Sequence, residues 1–433
     1  MFNSLLSFLL YRTPFFYYIQ PLWRDEAFSY FMAKPGLLQV IANTAHDFNP
    51  PLYYILLHFW ILLVGRWDEG LKILSLLFHL GGVYVTYLLA RKLFSEKFAW
   101  FAAAFYFFNP MLLYYGFEVR MYSLYAFLTV CMVYFFVQKQ WKGFIISSIL
   151  GLYTHSYFLM AYGSLLIIYG LSHRRHKINW IRLLIPFFAF LPWIPVIVIQ
   201  FIRSKGSWLF PVDFQLIKSV LGNLFTNYEG TPGGFWFLTT GISLIIVLFL
   251  VHLWIKGRSQ RSMYFVPIFL PLLCILGYSL IRQPLYVNRY LIFITVFEIF
   301  AIVNSIFLIQ RPWIRKSMMV LSLLGIIGFD VWIAPYHKKT DFRTPFNEIN
   351  AIANTNDVIF TKTPIGQLES AFYFNDPNRV YVYNPNQTGI PNYIGVTVVF
   401  PDSSRDSFPP PPGRTFLVDD NANYEMVITK PNL

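Results

Sequence analysis

Residues 234–255 read GFWFLTTGISLIIVLFLVHLWI, an unbroken apolar run with no Asp, Glu, Lys or Arg. A helix of about 20 such residues spans the roughly 30 Å hydrocarbon core of a bilayer. Residues 290–309 repeat the pattern with Glu298 as the single charged interruption. A water-free core leaves an open backbone unsatisfied, so these runs are spanning helices. The whole chain agrees: 433 residues, 56% apolar, 20% aromatic and 13% charged, a composition that excludes a string of soluble domains. The net charge of +13 falls in short Lys/Arg clusters between apolar runs, which read as topology signals and not as a nucleic-acid face.

Working outward, eleven crossings are expected near 2–21, 71–90, 98–116, 121–138, 143–156, 157–171, 181–202, 234–255, 263–281, 290–309 and 316–335, the fifth and sixth short enough to form one kinked element. The first, with Arg12 and Pro14 inside it and no small-residue cleavage site, reads as an anchor and not a removed signal peptide. Cys131 and Cys274 each fall in mid-crossing, which argues against a disulfide framework. Connections 91–97, 139–142, 174–177, 256–261 and 311–316 hold fourteen Lys/Arg against one acid, Glu96, and so share the cytoplasmic side. Residues 51–64 are apolar but too short for an ordinary span, and a crossing there would throw 91–97 outside. They are expected along the outer boundary. The N-terminus is then cytoplasmic and everything after Tyr336 extracytoplasmic.

The expected domains are a transmembrane part, 1–336, whose outer loop 22–70 carries juxtamembrane helices, and a soluble part, 337–433. In the latter, apolar runs shorten and Asn, Asp, Pro and Thr become common. A helix over 345–355 and strands over 357–362, 380–384, 394–400, 415–419 and 426–430 indicate a small α/β or mainly β layer. The proline run 409–412 reads as a stiff connector. The fold class is thus a polytopic α-helical membrane protein of about eleven transmembrane helices with a small α/β extracytoplasmic C-terminal domain. No internal repeat, phosphate loop, zinc-ligand spacing or nucleophile elbow is present.

Ionisable residues at membrane depth are costly to keep and are functional candidates by default. Arg24, Asp25 and Glu26 follow the first crossing in Trp23-Arg24-Asp25-Glu26-Ala27-Phe28-Ser29. Adjacent helical side chains diverge by about 100°, so one acid can face a cavity while the other braces the loop. A carboxylate here could take a proton from a hydroxyl, and equally the pair could be helix-capping charges. His46, Asn49 and Tyr53 lie in a second segment, His46 through Tyr54, where Pro50 and Pro51 suit the start of a helix. That segment fits an anion or sugar-hydroxyl site, or ordinary capping by Asn49. Glu118, Arg120 and Tyr122 form a third, as functional groups or as a local ion pair. His155, Arg289 and Tyr290 complete the set, His155 alone suiting a structural hydrogen-bonding role as well. The distribution outweighs any one motif, because all these charges fall on the outer boundary of a topology derived from cytoplasmic charge alone.

In Trp23-Arg24-Asp25-Glu26-Ala27-Phe28-Ser29, the Asn-Pro-Pro-Leu-Tyr-Tyr segment at 49–54, Glu118-Val119-Arg120-Met121-Tyr122, Thr154-His155 and Arg289-Tyr290, the sequence resembles the polyprenyl- and dolichyl-phosphate-sugar-dependent membrane glycosyltransferases of the C-type (GT-C) fold. It is most similar to the bacterial members of the protein-mannosyltransferase and aminoarabinose-transferase group. The resemblance covers the membrane part to about residue 310. It implies that Asp25 is the catalytic base, that a polyprenyl-phosphate sugar is the donor, and that transfer to a glycan, lipid or protein hydroxyl proceeds with inversion. It carries phosphate or substrate binding to Arg120 and Arg289, and Asp341-Phe342-Arg343 is similar to a short segment after the last helix of bacterial relatives. Metal dependence varies within the group, and with no clear His/Glu ligand set neither metal nor cofactor is expected. A transporter or flippase for a lipid-linked glycan is the competing reading. Against it stand charges gathered at one boundary and the lack of repeat symmetry.

Overall fold

The computed structural model describes residues 2–172, 180–203, 209, 211–231, 233–258 and 260–429. The expected cytoplasmic connection 174–177, and the end of the expected strand 426–430, lie outside the described residues. The chain divides into two compact units: Met1–Tyr18, Lys72–Phe201 and Trp208–His337 form unit 1, and Ile19–Leu71, Ile202–Ser207 and Lys338–Leu433 form unit 2. The C-terminal segment of unit 2 begins at Lys338. The loop after the first helix lies in the same unit as that segment.

Among the described residues, six helices are long and apolar enough to cross a membrane: Asp68–Leu93, Ile181–Ile202, Trp236–Lys256, Arg261–Ile281, Asn288–Phe307 and Pro312–Tyr336. Together they make the chain a multi-pass membrane protein. Shorter apolar helices occupy Leu52–Val64, Tyr122–Val137, Trp141–Leu152 and Phe158–Leu171. Unit 1 is organised around Asn288–Phe307, 89% of whose apolar window is buried against 22–39% for the other five, so it is the core helix and the others face outward. Its Thr295 hydroxyl donates to the Leu224 carbonyl at 2.7 Å, tying the Phe214–Thr226 helix to it.

Breaks appear where the local chemistry demands them. The continuous crossing expected over 2–21 is two short helices, Phe2–Arg12 and Phe15–Ile19. Pro14 cannot donate to the helical ladder, and the Thr13 hydroxyl folds back on the Leu9 carbonyl. The crossing expected over 98–116 divides into Glu96–Phe107 and Pro110–Gly116. Asn109 causes that division: its Oδ1 accepts the Leu112 N–H at 3.1 Å, and Pro110 stands at the first helical position, where a missing N–H costs nothing. The 181–202 run keeps its course but tightens to a 3₁₀ turn at Leu191–Trp193.

In unit 2, three helices, Arg24–Ala33, Leu37–His46 and Leu52–Val64, come from the N-terminal segment. The C-terminal segment supplies helices Arg343–Ile352 and Gln367–Tyr373 and five strands: β1 (Val358–Thr361), β2 (Val380–Tyr383), β3 (Ser404–Arg405), β4 (Thr415–Val418) and β5 (Tyr424–Val427). The sheet order is β3-β2-β1-β4-β5, parallel except for the β4–β5 pair. Parallel neighbours need crossover connections, which makes the layer α/β. The strand expected over 394–400 is instead a 3₁₀ turn, Asn392–Ile394, and a helical turn, Val396–Val399. Gly395 between them has φ +83°, and a Cβ there would meet the Phe28 ring at 2.7 Å, so the chain turns against the Arg24–Ala33 helix and cannot run on as a strand. The Gln367–Tyr373 helix and strand β3 are elements the sequence reading lacked.

Candidate active site

Unit 1 holds six of the expected site residues: Glu118, Arg120, Tyr122, His155, Arg289 and Tyr290. Residues 118–121 form a tight turn between the Pro110–Gly116 and Tyr122–Val137 helices, with the Arg120 N–H on the Glu118 carbonyl at 2.7 Å. The Arg120 carbonyl accepts the Ser75 hydroxyl at 3.4 Å, and Ser123 donates to the Ser75 carbonyl at 2.7 Å, which pins the turn to the Asp68–Leu93 helix. Glu118 is buried and accepts from the Tyr114 hydroxyl at 3.4 Å. The Arg120 guanidinium lies 5.8 Å from the centre of the Tyr122 ring, and that of Arg289 lies 6.0 Å from the same ring. Arg289 also covers Tyr290, whose ring centre is 5.0 Å from the His155 imidazole.

His155 sits in the turn between the Trp141–Leu152 and Phe158–Ser172 helices. Its Nδ1 accepts the Tyr157 N–H at 3.1 Å, which leaves the ring proton on Nε2. That Nε2, the Tyr122 hydroxyl and the Tyr125 hydroxyl are all buried with no hydrogen-bond partner in the protein. Buried polar atoms in proteins are ordinarily satisfied, so a concentration of exceptions beside two guanidiniums marks a place built for a polar ligand. Arg289 is set by a chain of amides: its N–H donates to Asn288 Oδ1 at 2.6 Å, and Asn288 Nδ2 donates to Asn227 Oδ1 at 3.0 Å. The Glu229 carboxylate meets the Asn288 N–H at 3.4 Å.

Tyr125, Tyr157, Asn227, Glu229 and Asn288 were missed as site residues. Tyr125 was detectable, three positions after Tyr122 and hence on the same helical face. Glu229 and Asn227 carried no signal, since they come from a connection far from the motifs in sequence.

Unit 2 holds the acidic motif. Asp25 and Glu26 lie in the first turn of the Arg24–Ala33 helix and separate as the helical angle requires. The Asp25 side chain keeps 16% of its surface, with Arg24 Nε at 3.4 Å. Glu26 is fully buried, and its Oε2 accepts both the Trp23 N–H at 3.1 Å and Lys339 Nζ at 2.7 Å. Glu26 therefore closes the start of its own helix and ties it to the C-terminal segment, whereas Asp25 keeps an accessible edge. His46 is exposed at the end of its own helix, its Nδ1 donating to the Ala42 carbonyl at 2.8 Å. Asn49 is buried and donates to Asp47 at 3.3 Å; it does not cap the Leu52–Val64 helix, for which Pro51 holds the cap position without a side-chain bond. Tyr53 is fully buried against Tyr54, with ring centres 6.0 Å apart.

Arg343, from the segment Asp341-Phe342-Arg343, donates to Asp68 at 2.6 Å and pairs with Glu69 at 3.2 Å. Burial works against its charge, yet these two carboxylates outweigh it and hold the guanidinium above its usual value. Tyr373 bonds the same Asp68 through its hydroxyl and accepts the Leu22 N–H at 2.7 Å. Among the described residues no three His, Cys, Asp or Glu side chains converge as a metal-ligand set.

No protein-family model matches the sequence, and a search of curated proteins finds no match. Solved structures do match. The crystal structure of ArnT from Cupriavidus metallidurans in the apo state aligns with a TM-score of 0.62 at 11% identity, covering 96% of this chain and 91% of that one. The chain has the ArnT fold. ArnT bound to undecaprenyl phosphate aligns with the same coverage, a TM-score of 0.60 and 13% identity. The Archaeoglobus fulgidus oligosaccharyltransferase complex with zinc and sulfate aligns more loosely, with a TM-score of 0.48 at 10% identity over 83% of this chain and 58% of that one. The ArnT fold is the GT-C architecture expected from the motifs, recovered at an identity where sequence comparison alone finds nothing.

Proposed function

We propose that this protein transfers a sugar from a polyprenyl-phosphate donor to an acceptor hydroxyl at the extracytoplasmic membrane face, inverting the anomeric carbon. The observation that carries the reading is the unit 1 cluster: two guanidiniums flanking one tyrosine ring, beside a buried imidazole and buried tyrosine hydroxyls, in a chain with the ArnT fold. Undecaprenyl phosphate bound to ArnT supports a carrier of that class.

In this reading the acceptor oxygen attacks the anomeric carbon while the bond to the phosphate oxygen breaks. Asp25 receives the hydroxyl proton, and the carrier leaves as its phosphate. Phosphate is already a good leaving group, so Arg120 and Arg289 need only take up charge as it develops, which their donor forks suit. His155 offers a fixed Nε2–H, and Tyr122 and Tyr290 offer ring faces and a hydroxyl to the sugar. Arg24 sets the Asp25 carboxylate, and Glu26 braces the helix start. Glu118 stays a reserve candidate for the base, while His46, Asn49 and Tyr53 support the segment after Asp25. A single displacement inverts, and needs neither metal nor cofactor.

The proposal includes eleven crossings, a cytoplasmic N-terminus, residues 51–64 along the outer boundary and an extracytoplasmic C-terminal domain. The acceptor is a glycan, lipid or protein hydroxyl, and no nucleic acid takes part. The test is incubation of purified protein with a panel of radiolabelled polyprenyl-phosphate sugars. Release of free carrier phosphate is expected for at least one donor. Folded protein that moves a lipid-linked glycan across vesicles and cleaves no donor would overturn the reading in favour of a transporter.

A further inference from the structure

Glu229 stands beside the unit 1 cluster without a task in the mechanism. It lies in the connection that follows the Phe214–Thr226 helix, and the residues before it fix the shape of that connection. Asn227 ends the helix in the left-handed conformation at φ +61°, which asparagine tolerates better than most residues. Tyr228 is fully buried, and its hydroxyl accepts the Phe235 N–H at 2.9 Å. Glu229 itself is exposed.

The same connection reaches the turn that carries Arg289. Glu229 Oε1 accepts the Asn288 N–H at 3.4 Å, Asn227 Oδ1 accepts Asn288 Nδ2 at 3.0 Å, and Asn288 Oδ1 in turn accepts the Arg289 N–H at 2.6 Å. One carboxylate oxygen is thus tied to the residue before Arg289. The other, Oε2, has neither a hydrogen-bond partner nor an ion pair among the described residues. The protein around Glu229 withholds enough water to raise its carboxyl above the usual value, against the pull of the Arg289 charge and the Asn288 N–H. An exposed carboxylate in poorly solvated surroundings is an edge inside a recess, where a ligand can reach it.

We infer that Glu229 is a sugar-recognition residue: its Oε2 accepts a hydroxyl of the donor sugar, next to the phosphate that Arg289 holds. This rests on the reading that the donor is a polyprenyl-phosphate sugar and that its phosphate meets Arg289. Charge selects the group. A carboxylate repels a phosphate, so Glu229 does not serve the phosphate itself. One bond beyond that phosphate the donor carries an uncharged ring edged with hydroxyls, and a hydroxyl that donates to a carboxylate forms the stronger, charge-assisted kind of hydrogen bond. The two residues therefore divide the donor: the guanidinium takes the part common to every such carrier, and the carboxylate reads a hydroxyl whose place differs between sugars. A site built to bond a hydroxyl discriminates strongly against a sugar that lacks it there, because its polar group is then left unpaired.

The test measures Kd on purified full-length protein for undecaprenyl phosphate and for its glucose, mannose and galactose esters, three sugars that differ only in hydroxyl orientation. Wild type should bind at least one ester more tightly than the bare carrier. Glutamine still accepts the Asn288 N–H but carries no charge, so Glu229→Gln should weaken that ester by about tenfold and narrow the spread among the three. Its Kd for bare undecaprenyl phosphate should stay within about twofold of wild type or fall, since a negative charge beside Arg289 has gone. Retained binding of the bare carrier also shows that the variant is folded. Wild type that binds no ester more tightly than the carrier overturns the inference, as does an unchanged ester Kd in Glu229→Gln. Equal weakening of ester and bare carrier in Glu229→Gln and Glu229→Ala also overturns it, because Glu229 then only sets Arg289. The donor reading fails separately: undecaprenyl phosphate that does not bind wild type, or binds Arg289→Ala equally well, removes that reading and this inference with it.

Discussion

Asp25 and Glu26 are neighbours in sequence with different surroundings, and substitution should separate them. Asp25→Asn keeps shape but cannot take a proton, and a loss of about 10²–10⁴ in turnover is expected, read by carrier release. Glu26→Gln should act chiefly on stability, because it leaves the Lys339 ammonium buried without its counter-charge. Breaking such a pair from one side costs about 3–5 kcal/mol, and the matched change Glu26→Gln with Lys339→Met should recover part of it in a thermal melt. Arg289→Ala should weaken donor binding more than it slows bound donor, seen as a raised KM, through loss of a charge-assisted contact. At this scale the motifs were largely readable: Arg120, Tyr122, His155, Arg289 and Tyr290 do converge. Asn227 and Glu229 were not, because each reaches its partner from a segment with no periodic or motif signal of its own. His46 shows the opposite limit, since a histidine next to a promising motif is spent on its own helix end.

Among elements, Gly222 tests the packing of the Phe214–Thr226 helix on Trp236–Lys256. A Cβ at Gly222 would lie 2.0 Å from the Thr239 carbonyl oxygen, and the Gly222 N–H already donates to Ser243 at 2.7 Å. Gly222→Ala must push the helices apart, and a destabilisation of about 1–3 kcal/mol is expected by thermal unfolding in detergent. Arg343→Ala belongs to the same scale: it strips the buried Asp68 of its ion pair at the start of a membrane helix, at a cost of about 1–3 kcal/mol, read the same way. Long apolar helices were legible because hydrophobic length survives any tertiary context. Short apolar runs were not. Residues 394–400 alternate like a strand, yet Gly395 turns them against Phe28, a constraint that exists only once the distant helix is beside them.

For the whole molecule, the proposed membrane topology yields a direct test: a tag after Leu433 should be accessible from outside intact cells, while one within 256–261 should not, and accessibility of both from the same side would overturn that topology. The amino-acid sequence alone determined that the chain crosses a bilayer many times, where its apolar runs lie, and that a polar C-terminal part follows, because transfer of side chains between water and hydrocarbon is a local property of each segment. Only the tertiary structure decided that the Asp25 loop forms one unit with that C-terminal part, through Glu26 and Lys339, Asp68 and Arg343, and Leu22 and Tyr373. Those pairs join residues some 270 to 350 positions apart. Each is a directional contact whose partner depends on how the intervening helices and parallel strands bring the chain back, and no local pattern of polarity encodes that return.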